Sequence, residues 1–324
     1  MLGGFLALLA ALTFAMNNAS ARRGVLTGSV LQALAISVPL GVPFLFLATI
    51  AFGGLAAFAT FSLVSILWLM AAGIVHFVLG RYCNYRGTKA IGSNLVGPLQ
   101  DLNIFYSVAL AVLVLGEKMS LLKIVGFCLI VAGPLVALRS ASKPRAPSKK
   151  STFTPVYAEG YLFAFLSGLC YGTSPILLRQ GLVSSDIATG VAASCISYCG
   201  ATLVVALMLL IPGAAADVRR LDRTSGGWFL FAGCLVALSQ MLRYMALAIA
   251  PVTVVAPIGR LSSVFRIYFS WLFNREHEIF SSRIVIGTCL SLLGALVLSL
   301  GAAWDSAVLD WPPGLEAALD WRWP

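Results

Sequence analysis

The sequence predicts an all-α integral membrane protein, with ten transmembrane helices arranged as two inverted five-helix repeats. Three observations carry this expectation. Of 324 residues, 60% are hydrophobic and only 10% charged, and the mean hydropathy is +0.94; a soluble domain carries roughly 25% charged residues to face water. The apolar residues gather into ten runs, each near the ~20 residues that cross a hydrocarbon core. The second half of the chain also repeats the residue pattern of the first.

The first repeat is expected over residues 1–138, with spans at 2–18, 30–51, 58–81, 93–115 and 121–138. Residues 1–16 are apolar but lack a basic start and a cleavage site, so they read as the first span rather than as a removed signal peptide. The runs are continuous, unlike the alternating ~10-residue strands of a membrane barrel. Residues 139–155 form a linker, where SASKPRAPSKKSTFTP is rich in proline, lysine and serine. The second repeat is expected over 156–302, with spans at 161–179, 187–211, 228–249, 252–273 and 283–302. The tail, 303–324, sets four acids (Asp305, Asp310, Glu316, Asp320) among four tryptophans. Tryptophan prefers the headgroup layer, so the tail is expected at the bilayer surface.

The internal repeat is the most specific signal. At an offset of 159, Tyr85 falls on Tyr244, Pro98 on Pro257, Asp101 on Arg260 and Glu117 on Glu276. The aligned stretches read YRGTKAIGSNLVGPLQDLN and YMALAIAPVTVVAPIGRLS. After a two-residue insertion, Gly126 falls on Gly287 and Gly133 on Gly294. Earlier, the stretch from Gly4 matches the stretch from Gly160, which sets Asn17 on Thr173 and Asn18 on Ser174 at an offset of 156. An odd number of spans per unit makes the second enter the membrane from the opposite side, an arrangement that recurs in transporters.

The net charge of +10 invites a nucleic-acid reading. The basic residues, however, sit in short connectors between apolar runs, which is the signature of membrane orientation, so no nucleic-acid partner is expected. Alternating the connectors puts fifteen basic residues on one side, Arg22 and Arg81 among them, and four on the other. The positive-inside rule then places both termini outside the cell. Six of the seven cysteines lie within apolar runs and read as small packing residues.

The paired five-helix units resemble the EamA family of the drug/metabolite transporter superfamily. LVLGEKMSLLKIVGFCLIVAGPLVAL, from Leu113, carries the resemblance best, with Gly116-Glu117 ending one helix before a glycine-containing next one. The second half departs from the pattern at Arg275-Glu276, inside a polar REHE run. The resemblance covers roughly residues 2 to 302. It implies ten helices, alternating access and movement of a small metabolite. It also implies that both termini are cytoplasmic, against the charge count, so the orientation stays open.

Polar groups within hydrocarbon need partners or a water-filled cavity, which makes them the candidate pathway. Asp101, with Gln100 and Asn103, follows Pro98; Arg260 follows Pro257 at the matching position. Each proline removes a helix hydrogen bond and can kink its span. Opposite charges at matching positions suggest a pair across the axis, serving as a gate or a zwitterion site, or simply as a structural ion pair. Arg266, six residues past Arg260, is expected on a different face. His76, in AAGIVHFVLGR, is a candidate for proton coupling, or else a histidine bonded to a neighbour. Asn17, Asn18, Thr173, Ser174, Gln240, Arg243 and Tyr244 are candidates for uncharged or cationic contacts, or for helix packing. His277 is expected to be solvated.

No HExxH, GxSxG or P-loop is present, and Asp101 has no aspartate at its matching position, which argues against an intramembrane enzyme. A receptor or scaffold would not require the repeat. The expected partners are a small-molecule substrate and the bilayer of the cell membrane, with proton coupling and a homodimer left open; no cofactor or metal is expected.

Overall fold

A computed structural model describes residues 2–101, 121–138, 154–184, 186–250 and 252–305. Asn103, Tyr106, Glu117, Lys118, most of the linker and the tail from 306 lie outside them. Every regular element among the described residues is helical. In chain order these are α1 (Leu2–Val25), α2 (Val30–Ser37), α3 (Gly41–Ala51), α4 (Leu63–Gly73), a π-helical segment (Ile74–Gly80), α5 (Arg81–Ile91) and α6 (Ser93–Asp101). Then follow α7 (Leu121–Leu138), α8 (Tyr157–Gly181), α9 (Ile187–Met208), the short α10 (Ala214–Arg219), α11 (Arg223–Ile249), α12 (Val252–Asn274) and α13 (Ser282–Asp305).

Among the described residues, six helical stretches are long and apolar enough to cross a membrane: Leu2–Val25, Val30–Ala51, Leu63–Ile91, Tyr157–Gly181, Ile187–Met208 and Arg223–Ile249. Ile124–Ala137 and Ser282–Leu298 are shorter apolar stretches. The expected run at 93–115 is described only as far as Asp101. Large side chains such as Leu47, Leu63, Leu203 and Leu210 are exposed on the outer surface, where lipid rather than water suits them.

Local chemistry sets the helix boundaries. Ser29 caps α2 in a reciprocal box with Gln32, and Ser62 caps α4 through the Ser65 amide. Asp186 and Asp222 cap α9 and α11. The Ser225 amide holds the exposed Asp222 carboxyl below its usual pKa, because it bonds the charged form. Pro39 cannot donate a backbone bond, and α2 gives way to α3 around it. Gly92 takes φ of 83°, a left-handed value that ends α5 and lets α6 start at once in a new direction.

Two helices run past their expected ends, and the basic residues go with them. α1 continues from residue 18 to Val25, and the third stretch from residue 81 to Ile91. Arg22 and Arg81, assigned above to a connector, are instead 1% and 2% exposed within helices. A boundary drawn at the first charge fails where that charge is buried against other helices.

The packing is reciprocal between the halves. α1 runs antiparallel to α11, with Ser239 Oγ donating to Ala10 O at 2.8 Å, and also lies on α12. α8 in turn runs against α4, the π segment, α5 and α6, with Gly160 at Ile91 and Gly181 at Leu69. α9 packs on α3, α4 and α11. α7 and α13 cross antiparallel through their glycines: a Cβ at Gly126 would stand 2.8 Å from Gly294 O, and one at Gly133 2.5 Å from Gly287 O. The two contacts are the same contact seen from either half, since Gly126 matches Gly287 and Gly133 matches Gly294.

Substituting Gly133→Leu should therefore force α7 and α13 apart. The expected cost is at least about 1–3 kcal/mol, as for overpacked cores, read as a lower Tm of the detergent-solubilised protein. Gly227→Ala, where an added Cβ meets nothing within 4 Å, should leave Tm unchanged or higher.

Candidate functional site

A cavity of ≈180 Å³ lies between α1, the π segment, α6, α8, α11 and α12. Its shape follows from side-chain size along each helix. α1 supplies the small residues Ala7, Ala10 and Ala11, which leave room in the interior. α11 supplies Ser239, Gln240 and Arg243, one face at helical spacing. α12 supplies Gly259, Arg260, Ser262, Ser263 and Arg266, and α8 supplies Tyr171 and Pro175. Gln100 and Asp101, at the described end of α6, close the polar side.

The charged groups are bonded across the halves. Arg260 Nη1 donates to Asp101 Oδ1 at 3.1 Å, and Ser263 Oγ donates to Asp101 Oδ2 at 3.2 Å. Arg266 places both Nη1 and Nη2 on Gln100 Oε1, each at 3.1 Å. From Gln100 a chain of amides runs to α1. Its Nε2 donates to Asn84 Oδ1 at 3.0 Å and Ser167 Oγ at 2.8 Å, and Asn84 Nδ2 donates to Asn18 Oδ1 at 2.8 Å. With all of these buried, the chain holds one arrangement, because each unpaired amide would cost free energy.

His76 stands on the cavity wall in the π segment. Its Nδ1 shares a 2.7 Å hydrogen bond with Ser174 Oγ, and its ring lies 4.5 Å from that of Tyr171. A π turn re-aims side chains locally and recurs at functional positions. Arg243 Nε donates to Gln240 Oε1 at 2.8 Å, and its guanidinium sits 5.5 Å from the Tyr244 ring centroid.

One end of the assembly is fastened by a second buried pair. Arg22 Nε lies 3.4 Å from Glu278 Oε1; its Nη1 donates to Thr88 O at 2.9 Å and its Nη2 to His277 O at 2.8 Å. Glu278 accepts from the Ser93 amide at 2.6 Å and the Asn94 amide at 3.2 Å. A carboxylate from the α12–α13 turn thus caps α6, where the helix dipole favours negative charge. Asn274 Nδ2 adds a bond to Ala19 O at 2.7 Å.

The sequence model of the EamA-like transporter family matches residues 1–139 and 158–300. The chain belongs to the EamA-like transporter family. Members are multi-pass membrane transporters rather than enzymes, so a small-molecule substrate and membrane lipid are its partners. No curated protein matches the chain. A solved structure, described only as the crystal structure of a protein, is similar over 92% of this chain and 98% of its own, at 18% identity and a TM-score of 0.55. At that identity the likeness concerns the fold.

In this EamA-like transporter, the cavity collects Asp101, Arg260, His76, Gln100, Gln240 and Arg243 from among the expected site residues. Ser174 and Asn18 do not line it but bond residues that do, directly or through Asn84. Thr173 bonds Leu169 O of its own helix, and the Tyr244 hydroxyl bonds Ser197 Oγ at 3.1 Å, between α11 and α9. Asn17 is buried away from the cavity. Pro98 lies inside α6 without lining it, and Pro257 lies in α12.

Arg266 corrects an expectation. It lines the same cavity as Arg260, because Ser262 and Ser263 between them widen the polar face of α12 and both long side chains converge on α6. Glu278 was passed over as part of a polar turn, yet it is buried; His277 beside it is half-buried rather than fully solvated. Arg81, passed over as a connector charge, donates to the Tyr198 hydroxyl at 2.9 Å. Tyr171, Ser239, Ser262 and Ser263 were also missed, although Ser263, three residues past Arg260 and so on its helical face, was a readable signal.

Glu278→Ala leaves Arg22 buried without its carboxylate and α6 without its cap. Removing one partner of a buried pair typically costs about 3–5 kcal/mol, so a pronounced fall in Tm is expected by thermal unfolding in detergent. Glu276→Ala, at an exposed neighbour, should have little effect.

Proposed function

We propose that this chain is a secondary transporter, carrying a small metabolite across the cell membrane by alternating access between two inverted five-helix repeats. One observation carries the reading. Asp101 and Arg260 share a repeat position, come from opposite halves, and pair at 3.1 Å inside a cavity that both halves build. Sites at the interface of inverted repeats, beside interrupted helices, are the recurring solution of such carriers.

The reading takes residues 1–138 and 156–302 as five-helix units, ten spans in all, joined by 139–155 and followed by the tail 303–324. The reciprocal packing supports it: α1 lies on α11 and α12 as α8 lies on the third and fourth stretches of the first half. A carrier of this kind rocks one half against the other around the cavity. Asp101, Arg260, Arg266 and Gln100 then contact the substrate, and the Asn18–Asn84–Gln100 chain transmits its presence to α1. His76, on the wall, is the group that would serve proton coupling.

Uptake into proteoliposomes by a metabolite panel, with and without a pH gradient, tests the reading. Asp101→Asn and Arg260→Gln should each reduce uptake by roughly tenfold or more, the effect of about 1.4 kcal/mol. Intact uptake in both variants would overturn the central-site assignment.

For orientation we take the charge count. Without Arg22, Arg23, Arg81, Arg86 and Lys89, which lie in α1 and α5, the connector charge still gathers on the linker side, which is then cytoplasmic. A cysteine at position 149 (Lys149→Cys) should resist a membrane-impermeant maleimide in intact cells; labelling from outside would reverse the topology.

A further inference from the structure

We infer that the cavity takes a small organic carboxylate, so that the transported solute carries net negative charge. The inference rests on the transport reading and adds the substrate class to it.

The charges on the wall do not balance. Arg243, Arg260 and Arg266 all line the cavity, and Asp101 is the one acid on its wall among the described residues. It is also the one acid inside any of the ten apolar runs, since the other eleven acids fall in connectors, helix ends or the tail. Asp101 is occupied: Arg260 takes Oδ1 and Ser263 takes Oδ2. Arg266 rests on neutral acceptors, the Gln100 oxygen at 3.1 Å and the Ser93 carbonyl at 3.4 Å, and its buried Nε has no hydrogen-bond partner among the described residues. Arg243 reaches only another neutral acceptor, Gln240 Oε1, and does so through Nε. Its two terminal nitrogens have no bonded acceptor among the described residues, and the residue lines the cavity.

Among the described residues, two guanidinium groups therefore have no carboxylate in hydrogen-bond contact, in a membrane interior where an uncompensated charge costs several kcal/mol. A guanidinium presents parallel N–H donors that match a carboxylate in a two-point contact. A zwitterion would add no net charge and leave the imbalance in place. A cation would worsen it. The opposite wall is apolar, with Ala7, Ala10, Phe14 and Val255 suited to a short hydrocarbon body, and a cavity of ≈180 Å³ admits only a small one. That wall favours a carboxylate with a carbon chain over inorganic phosphate, which would leave it unfilled.

Four-carbon probes of different charge test the assignment on the purified full chain in detergent. Butyrate, succinate, 4-aminobutyrate, butylamine and inorganic phosphate are each added, and Tm is measured across a concentration series, because a ligand that binds the native state raises Tm by mass action. Butyrate or succinate should raise Tm with saturation, while 4-aminobutyrate and butylamine should not. Arg243→Gln and Arg266→Gln should each weaken the apparent carboxylate affinity roughly tenfold or more. If Arg266→Gln fails to fold, Arg243→Gln decides alone, because that side chain bonds only Gln240 among the described residues. Stabilisation by butylamine or 4-aminobutyrate in place of the carboxylates would overturn the assignment, as would stabilisation by phosphate alone or by no probe. The two readings fail separately. Carboxylate binding without uptake in proteoliposomes sinks transport and leaves the anion site, whereas uptake of a cation or zwitterion sinks the anion site and leaves transport.

Discussion

Hydrocarbon offers no partner to a buried charge, and that constraint arranges this molecule. Each arginine in the interior had to find acceptors supplied by the protein. Arg22 found two carbonyls of α5 and a carboxylate from a distant turn; Arg266 found an amide oxygen; Arg81 found Ser37 and the Tyr198 hydroxyl. These partners lie on other helices or turns, so each of these three charges is also a fastening between elements. The apolar surfaces fill the space between fastenings, and glycines such as Gly73 against Ser197 and those of α7 and α13 allow backbones to approach closely.

What could be read from the chain beforehand was what repeats or what is continuous. Apolar runs declare helices because the requirement for length is local, and the Asp101–Arg260 contact was legible because the offset of 159 placed two opposite charges at one position. Arg266 was misplaced because a helical wheel treats side chains as points, whereas a guanidinium on a long stem reaches across a broad face. Arg22, Arg81 and Glu278 were misread for a different reason. A charge at the edge of an apolar run looks the same whether water or another helix covers it, and only tertiary contact decides. The pairing of His76 with Ser174 was invisible for the same reason, since 98 residues separate them.

The duplicated halves share a backbone plan and differ in where they spend their polar residues. At the 159 offset, Asn84 falls on Arg243 and Arg81 on Gln240, so the two positions exchange a guanidinium and an amide. In the first half the guanidinium turns away from the cavity toward Tyr198, and the amide of Asn84 extends the polar chain. In the second half the guanidinium of Arg243 is the one on the wall. Duplication thus supplied a symmetric scaffold, and a few substitutions at equivalent positions gave the cavity more guanidinium groups than carboxylates among the described residues.

The cap that Glu278 places on α6 has a mechanical meaning. The first turn of that helix completes its hydrogen bonding only while a turn from the other half stays in place, so the helix start and that turn stabilise each other. At the 156 offset the counterpart of Arg22 is Leu178, a residue with no charge to clamp. The fastening between Arg22 and Glu278 is therefore particular to α1, and the sequence does not repeat its cation at the matching position of α8.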